Sequence, residues 1–150
     1  MEATRAPFQQ ILVPIDGSET SLNAARLAIR VAQTHRANLC FLYVVDTRST
    51  AEIARFSGRA DEDLQAELKI QGQRYLNYAS NLAAAAGQTA TVTLRVGIPQ
   101  QEITAEARER GVDLIVIGRV GQRGPRRVMI GSVAERVIEY APCPVLVVQG

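Results

Sequence analysis

Residues 118–132, GRVGQRGPRRVMIGS, are where this sequence offers chemistry. Gly118, Gly121 and Gly131 stand at offsets 0, 3 and 13, and Ser132 follows the last. Arg119, Arg123, Arg126 and Arg127 lie among them, and no Asp or Glu occurs from Leu114 to Ala134. Glycines lack the Cβ that would hold a ligand away, and they reach backbone angles closed to other residues. A helix opening at Gly131-Ser132 presents unpaired N–H groups and a partial positive charge. Arginine adds bidentate contacts to phosphate oxygens. Together these residue types suit a phosphate chain.

Two common phosphate motifs are absent. The P-loop requires G-x-x-x-x-G-K-[ST], and Lys69, the single lysine, follows no such pattern. The G-x-G-x-x-G fingerprint is missing from the first strand's turn, which reads Asp16-Gly17-Ser18-Glu19. Catalytic constellations are as sparse. His35, the sole histidine, reads as a cation near a helix C-terminus, without a Cys or His partner at metal-ligand spacing. It lies on a helix end rather than at a strand's carboxyl end, so no Ser-His-Asp arrangement can be built, and no G-x-S-x-G elbow occurs. A phosphotransferase needs a metal-holding carboxylate and a base near the γ-phosphate. Asp16 is the candidate for the first, and the acid-free loop supplies nothing for the second. Each residue also has a structural reading. Ser132 and Glu135 form S-x-x-E, a capping box. Asp16 serves as a turn residue, the glycines serve as turns, and Arg126 and Arg127 serve as a solvated face.

The elements that must position these residues follow from apolar runs and punctuation. Ile11–Ile15 is a short buried strand, with Pro14 at its C-terminal end because proline lacks a ladder N–H. Ser18 caps a helix of about 18–35 carrying Leu22, Ala25, Ala28, Ile29 and Ala32. Leu39–Val45 is a second strand, closed by Asp46. Residues 47–60 are polar, mixed and unassigned. A long helix runs from Asp61 to about Ala86, stopped by Gly87. Thr91–Val96 alternates as a third strand, and Pro99 opens a helix that ends at Gly111. Leu114–Ile117 is a fourth strand, 118–130 a loop, 131–140 a last helix and Val145–Val148 a last strand. The order β-α-β-α-β-α-β-α-β, with mostly unbroken apolar strands, predicts an α/β fold with a parallel sheet and helices on both faces. Such sheets bind ligands beyond the carboxyl ends of their strands, where strand order reverses.

Composition bounds the rest. One hundred and fifty residues, 47% of them hydrophobic, make a single domain over 1–150 with a real core. A net charge of +2 is too small for a polyanion, so no nucleic-acid partner is expected. Cys40 and Cys143 read as reduced thiols of a cytoplasmic protein. There is no secretion signal pattern and no apolar run of membrane-spanning length. The last strand carries no charge to protect its edge, which invites pairing with a second chain.

The spacing G-x2-G-x9-G-[ST] after a strand and before a helix resembles the nucleotide loop of the universal stress protein family. Four other stretches are similar to it: Ile11-Leu12-Val13-Pro14-Ile15-Asp16-Gly17-Ser18, Val112-Asp113-Leu114-Ile115-Val116-Ile117-Gly118, Gly131-Ser132-Val133-Ala134-Glu135-Arg136-Val137, and Ala141-Pro142-Cys143-Pro144-Val145-Leu146-Val147-Val148. The region 47–88 matches only in helical character. The resemblance implies a five-stranded parallel sheet in the order 3-2-1-4-5, of the adenine-nucleotide alpha-hydrolase-like type. It implies ATP, or ADP or AMP, with Mg2+ riding on the phosphates, between strands one and four. It assigns the nucleotide to Pro14, Ile15, Asp16, Val44, Ile117, Gly118, Arg119, Gly121, Gly131, Ser132 and Val133. Asp16 would contact the ribose or a metal-bound phosphate region, so its metal role is indirect at most. The Val44 backbone would recognise adenine, and the glycines and Ser132 would surround the phosphates. Arg119 departs from the small polar residue usual in the family. A homodimer through Val145, Leu146, Val147 and Val148 is also implied.

The leading expectation is therefore a cytoplasmic, ATP-binding stress-response regulator whose bound state is read by a protein partner. The alternative is a slow metal-dependent ATP hydrolase or phosphotransferase using Asp16. An interaction module that has abandoned nucleotide conflicts with the intact glycine spacing. A receiver-type domain would need an acidic cluster after strand one and a lysine after strand five, and Lys69 lies in the middle helix.

Overall fold

Ile11, Leu12 and Val13 can be apolar in succession because their strand is covered on both faces. Ile11 and Val13 point into one core cluster and Leu12 into another. The computed structural model describes residues 6–120 and 130–149. Among them the order is β1 (Gln10–Pro14), α1 (Glu19–His35), β2 (Asn38–Asp46), α2 (Thr47–Ser57), α3 (Asp61–Ala85), β3 (Ala90–Gly97), α4 (Pro99–Arg110), β4 (Leu114–Gly118), α5 (Ser132–Tyr140) and β5 (Val145–Val148). The strands form one parallel sheet, β3-β2-β1-β4-β5. The order expected from the resemblance is thus the order observed.

Strand alternation sorts the core. Phe41, Tyr43, Val45, Leu114 and Val116 join Ile11 and Val13 against α1 and α3, where Ala24, Ala28, Leu76 and Ala79 meet them. Cys40, Leu42, Ile115 and Ile117 join Leu12 against α4 and α5, through Ile103, Ala107, Ala134 and Val137. Each fully buried Val, Leu, Ile or Phe contributes about 1.5–3 kcal/mol of transfer free energy. Alanines on α1 keep that helix close to the sheet.

The punctuation held at most boundaries. Ser18 caps α1, its Oγ accepting the Ser21 N–H at 3.2 Å. Pro14 ends β1, Pro99 opens α4, and Gly111 caps α4 in the left-handed region. Gly87, also left-handed, follows the Ala86 cap of α3. Two readings change. Residues 47–57 are the helix α2, so the second crossover holds two helices. Asp46 both ends β2 and caps α2, accepting the Arg48 N–H at 3.0 Å, and Gly58 closes it at φ +71°. Only Thr50 of this helix is buried, which is why no apolar stripe announced it. The capping box also fails. Gly131 is the N-cap of α5, since Glu135 N–H donates to its carbonyl at 3.0 Å. Ser132 therefore stands one position inside the helix, out of register for the reciprocal bond.

Candidate functional site

The carboxyl ends of β1 and β4 meet at the point where strand order reverses, the position expected to hold a ligand. On the β1 side, half-buried Pro14 ends the strand and buried Ile15 donates its N–H to the Leu42 carbonyl at 2.7 Å. Asp16 then turns the chain. Its carboxylate accepts the Ser18 N–H at 2.8 Å, and its own N–H reaches Ser21 Oγ at 3.4 Å. Gly17 takes φ +85°, which favours glycine. Asp16 thus does the work of a turn residue with one carboxylate oxygen.

On the β4 side, Ile117 and Gly118 are buried and Arg119 is half-buried. The Arg119 N–H donates to the Val148 carbonyl at 2.9 Å, and its carbonyl accepts the Gly131 N–H at 2.7 Å. The backbone of this one residue thereby ties the end of β4 to the end of β5 and to the start of α5. Gly131 is buried at φ −65°, Ser132 is exposed, and Val133 packs at the edge of the α4/α5 core. Among the described residues no side chain caps α5, whose first turn has amides without an intrahelical partner. Gly121 and the arginines 123, 126 and 127 lie outside the described residues.

Gly118 is not a left-handed residue, and the space a Cβ would take there belongs to α1. A Cβ would lie 2.7 Å from Thr20 Oγ1, 2.8 Å from the Thr20 carbonyl carbon and 3.0 Å from the Ser21 nitrogen. The Thr20 hydroxyl also donates to the Val120 carbonyl. Gly118 therefore brings β4 against the first turn of α1, which closes the two walls of the crevice on each other. The sequence reading missed Thr20, although its place in the first turn of a helix capped by Ser18 was visible.

Val44 stands two residues beyond Leu42, the last β2 residue in register with β1. Peptide groups alternate between the two edges of a strand. Leu42 directs its carbonyl to β1, so Val44 directs its N–H and C=O to the same side, where the chain has already turned away at Asp16. The residues expected to meet base, sugar and phosphates thus line one edge, except those outside the described residues. An adenine nucleotide fits this donor set: a peptide edge for the base, a carboxylate for a hydroxyl and amides for phosphate. Among the described residues, no group of three His, Cys, Asp or Glu stands together. A lone Asp16 fits Mg2+ as an ion carried mainly by phosphates.

Other singled-out residues fall outside the crevice. His35 ends α1 with its ring 5.3 Å from that of Phe8. Cys40 is buried 3.8 Å from Thr93 Oγ1, and Cys143 is partly buried; both are free thiols. No helix is long and apolar enough to cross a membrane among the described residues.

Comparison with known proteins decides the family. The model described as "Universal stress protein family" matches residues 7–149. The chain belongs to the universal stress protein family. Universal stress protein MJ0531 of Methanocaldococcus jannaschii is 39% identical over 146 residues, covering 95% of this chain and 82% of that one. The solved structure of universal stress protein UspA from Lactobacillus plantarum superposes with a TM-score of 0.83 at 29% identity, covering 96% and 99% of the two chains. A universal stress protein solved in complex with cAMP gives a TM-score of 0.70 at 27% identity, covering 96% and 98%. In this family member the first strand, fourth strand, final helix and closing strand are therefore where the resemblance put them.

Proposed function

We propose that this universal stress protein binds an adenine nucleotide, ATP or its relatives ADP and AMP, between β1 and β4, and acts as a nucleotide-dependent regulatory module. The observation that carries the reading is the start of α5, uncapped among the described residues and tied through the Gly131–Arg119 bond to the end of β4. Helix-start amides favour phosphate, and arginine in the adjoining segment adds to that preference. Val44 offers peptide groups to the base and Asp16 a carboxylate to the ribose. The cAMP complex of a relative supports an adenine ligand. Among the described residues no group of three His, Cys, Asp or Glu joins Asp16, so binding is favoured over efficient hydrolysis.

The module pairs as a homodimer through β5. Both β3 and β5 are sheet edges, but they differ. Arg95 on β3 holds Glu102, Glu106 and Glu109, and Arg110 reaches Thr93 Oγ1 at 2.7 Å, so charged side chains screen that edge. From Val145 to Val148 no charge occurs, and Leu146 is 39% exposed. An unscreened apolar edge is the one a second chain extends.

Calorimetric titration with ATP tests the reading, together with mass analysis of what leaves the purified protein on denaturation. Saturable heat, weakened by Asp16→Asn and by raised salt, supports it. No heat and no released nucleotide overturns it. Phosphate release above the buffer rate, lost in Asp16→Asn, would favour the hydrolase or phosphotransferase reading instead.

A further inference from the structure

The turn carrying Asp16 is held from a direction the sequence did not suggest. A Cβ on Gly17 would clash with the hydroxyl end of Tyr75, 2.5 Å from Cε2 and 2.8 Å from the hydroxyl oxygen, so the phenol lies directly against the Gly17 backbone. Tyr75 belongs to α3, and α3 is itself locked at this height. A Cβ on Gly72, one helical turn earlier, would fall within the ring of Tyr43 on β2. The two interlocked rings stand 6.1 Å apart at 47°. Gln71 Nε2 donates to Tyr75 Oη at 2.9 Å and fixes the phenol in turn. These contacts add to the holds from α1, where Ser18 and Ser21 bond the same turn.

We propose that Tyr75 is a positioning residue for nucleotide binding: its ring, seated on Gly17, fixes the direction in which Asp16 presents its carboxylate. This rests on the nucleotide reading above. The positioning is assigned to the ring because Cζ and Cε2 lie nearer the Gly17 Cβ position than the hydroxyl oxygen does. Removing the ring opens a gap under a left-handed glycine, and the Asp16 carboxylate then samples orientations that do not face the ligand.

The test is a double-mutant cycle read by ATP calorimetry on the full chain, with melting curves to establish folding. Tyr75→Phe keeps affinity within about twofold, whereas Tyr75→Ala weakens it by about tenfold, the scale of a misdirected charge-assisted hydrogen bond. In an Asp16→Asn background, Tyr75→Ala adds less than about twofold, because coupled residues are non-additive. Amide exchange at Ser18 quickens in Tyr75→Ala and not in Tyr75→Phe, with or without ATP. An undiminished loss in the Asp16→Asn background overturns the proposal, as does a loss in Tyr75→Phe equal to that in Tyr75→Ala. Unchanged Ser18 exchange in Tyr75→Ala overturns it independently of any ligand. Wild-type protein that takes up no nucleotide refutes the parent reading itself.

Discussion

Replacing Gly118 with alanine adds one methyl group at a place with no room for it. The new Cβ would stand 2.8 Å from the Thr20 carbonyl carbon and 3.0 Å from the Ser21 nitrogen. Carbon atoms pack comfortably at about 3.5–4.0 Å. The first turn of α1 must therefore retreat by roughly half an ångström or more, and it is poorly placed to do so. Ser18 Oγ holds the Ser21 N–H at 3.2 Å, Ser21 Oγ donates to the Ser18 carbonyl at 2.9 Å, and Thr20 bonds Val120 across the crevice. Overpacking of this kind costs about 1–3 kcal/mol. Because the obstacles include backbone atoms, a value of about 2 kcal/mol is expected, which lowers Tm by about 4–8 °C in a chain of this length. Thermal and urea unfolding of Gly118→Ala beside the wild type measure it. A Tm within about 1 °C of wild type would refute the argument that α1, rather than ligand, claims this space. The same geometry means that lost nucleotide binding in a bulky Gly118 variant would report on α1 and say little about phosphate.

Three further outcomes follow from the contacts described. Glu106, with its side chain 6% exposed, bridges Arg95 at 3.2 Å and Arg110 at 2.8 Å. Glu106→Ala removes the shared partner and destabilises by about 2 kcal/mol, less than for a fully buried pair because both guanidiniums reach solvent; urea midpoints check it. Burial, then the neighbouring Tyr75, Asp16 and Asp46, pushes the Tyr43 phenol up to about 12 from its usual 10.0. The unfolded phenol ionises first, so the native state binds more protons in that window and stability falls as pH rises from about 10 to 12. Denaturation series at rising pH measure the slope, and Tyr43→Phe flattens it. Leu146→Glu places a charge on the unscreened β5 edge and converts the proposed dimer to a monomer in light scattering; an unchanged mass, or a wild type that is already monomeric, removes β5 as the interface.

The sheet was legible because burial on both faces leaves a local mark. Leu39–Val45 and Leu114–Ile117 are apolar at every position, since neighbouring residues enter opposite cores. Boundaries were legible where a residue's own backbone chemistry sets them: Pro14, Ser18, Pro99 and Gly111 all act within their own turn. Helix α2 left no such mark. With Thr50 as its one buried residue and Phe56 80% exposed, it presents no stripe at helical spacing. Its signals were the caps Asp46 and Gly58, and Asp46 had already been spent on ending a strand. At Ser132 the error was one residue of register. S-x-x-E satisfies the capping pattern on paper, but the Glu135 N–H chooses the Gly131 carbonyl, and a glycine at the N-cap has no side chain to offer the helix amides.

That shift bears on the site as a whole. A serine cap would have occupied a first-turn amide, so under the proposed reading the failed pattern leaves more for a phosphate than the satisfied one would have. The glycines argue in the same direction from the opposite end. From sequence, Gly17 and Gly118 each declare only that a Cβ is missing. What fills the vacancy is a contact from elsewhere in the chain, Tyr75 on α3 for the first and Thr20 on α1 for the second. Each of these contacts fixes a wall of the crevice. The walls of this site are therefore set by long-range packing that no local spacing encodes, while the groups proposed to touch the ligand come from the glycine spacing and the family resemblance.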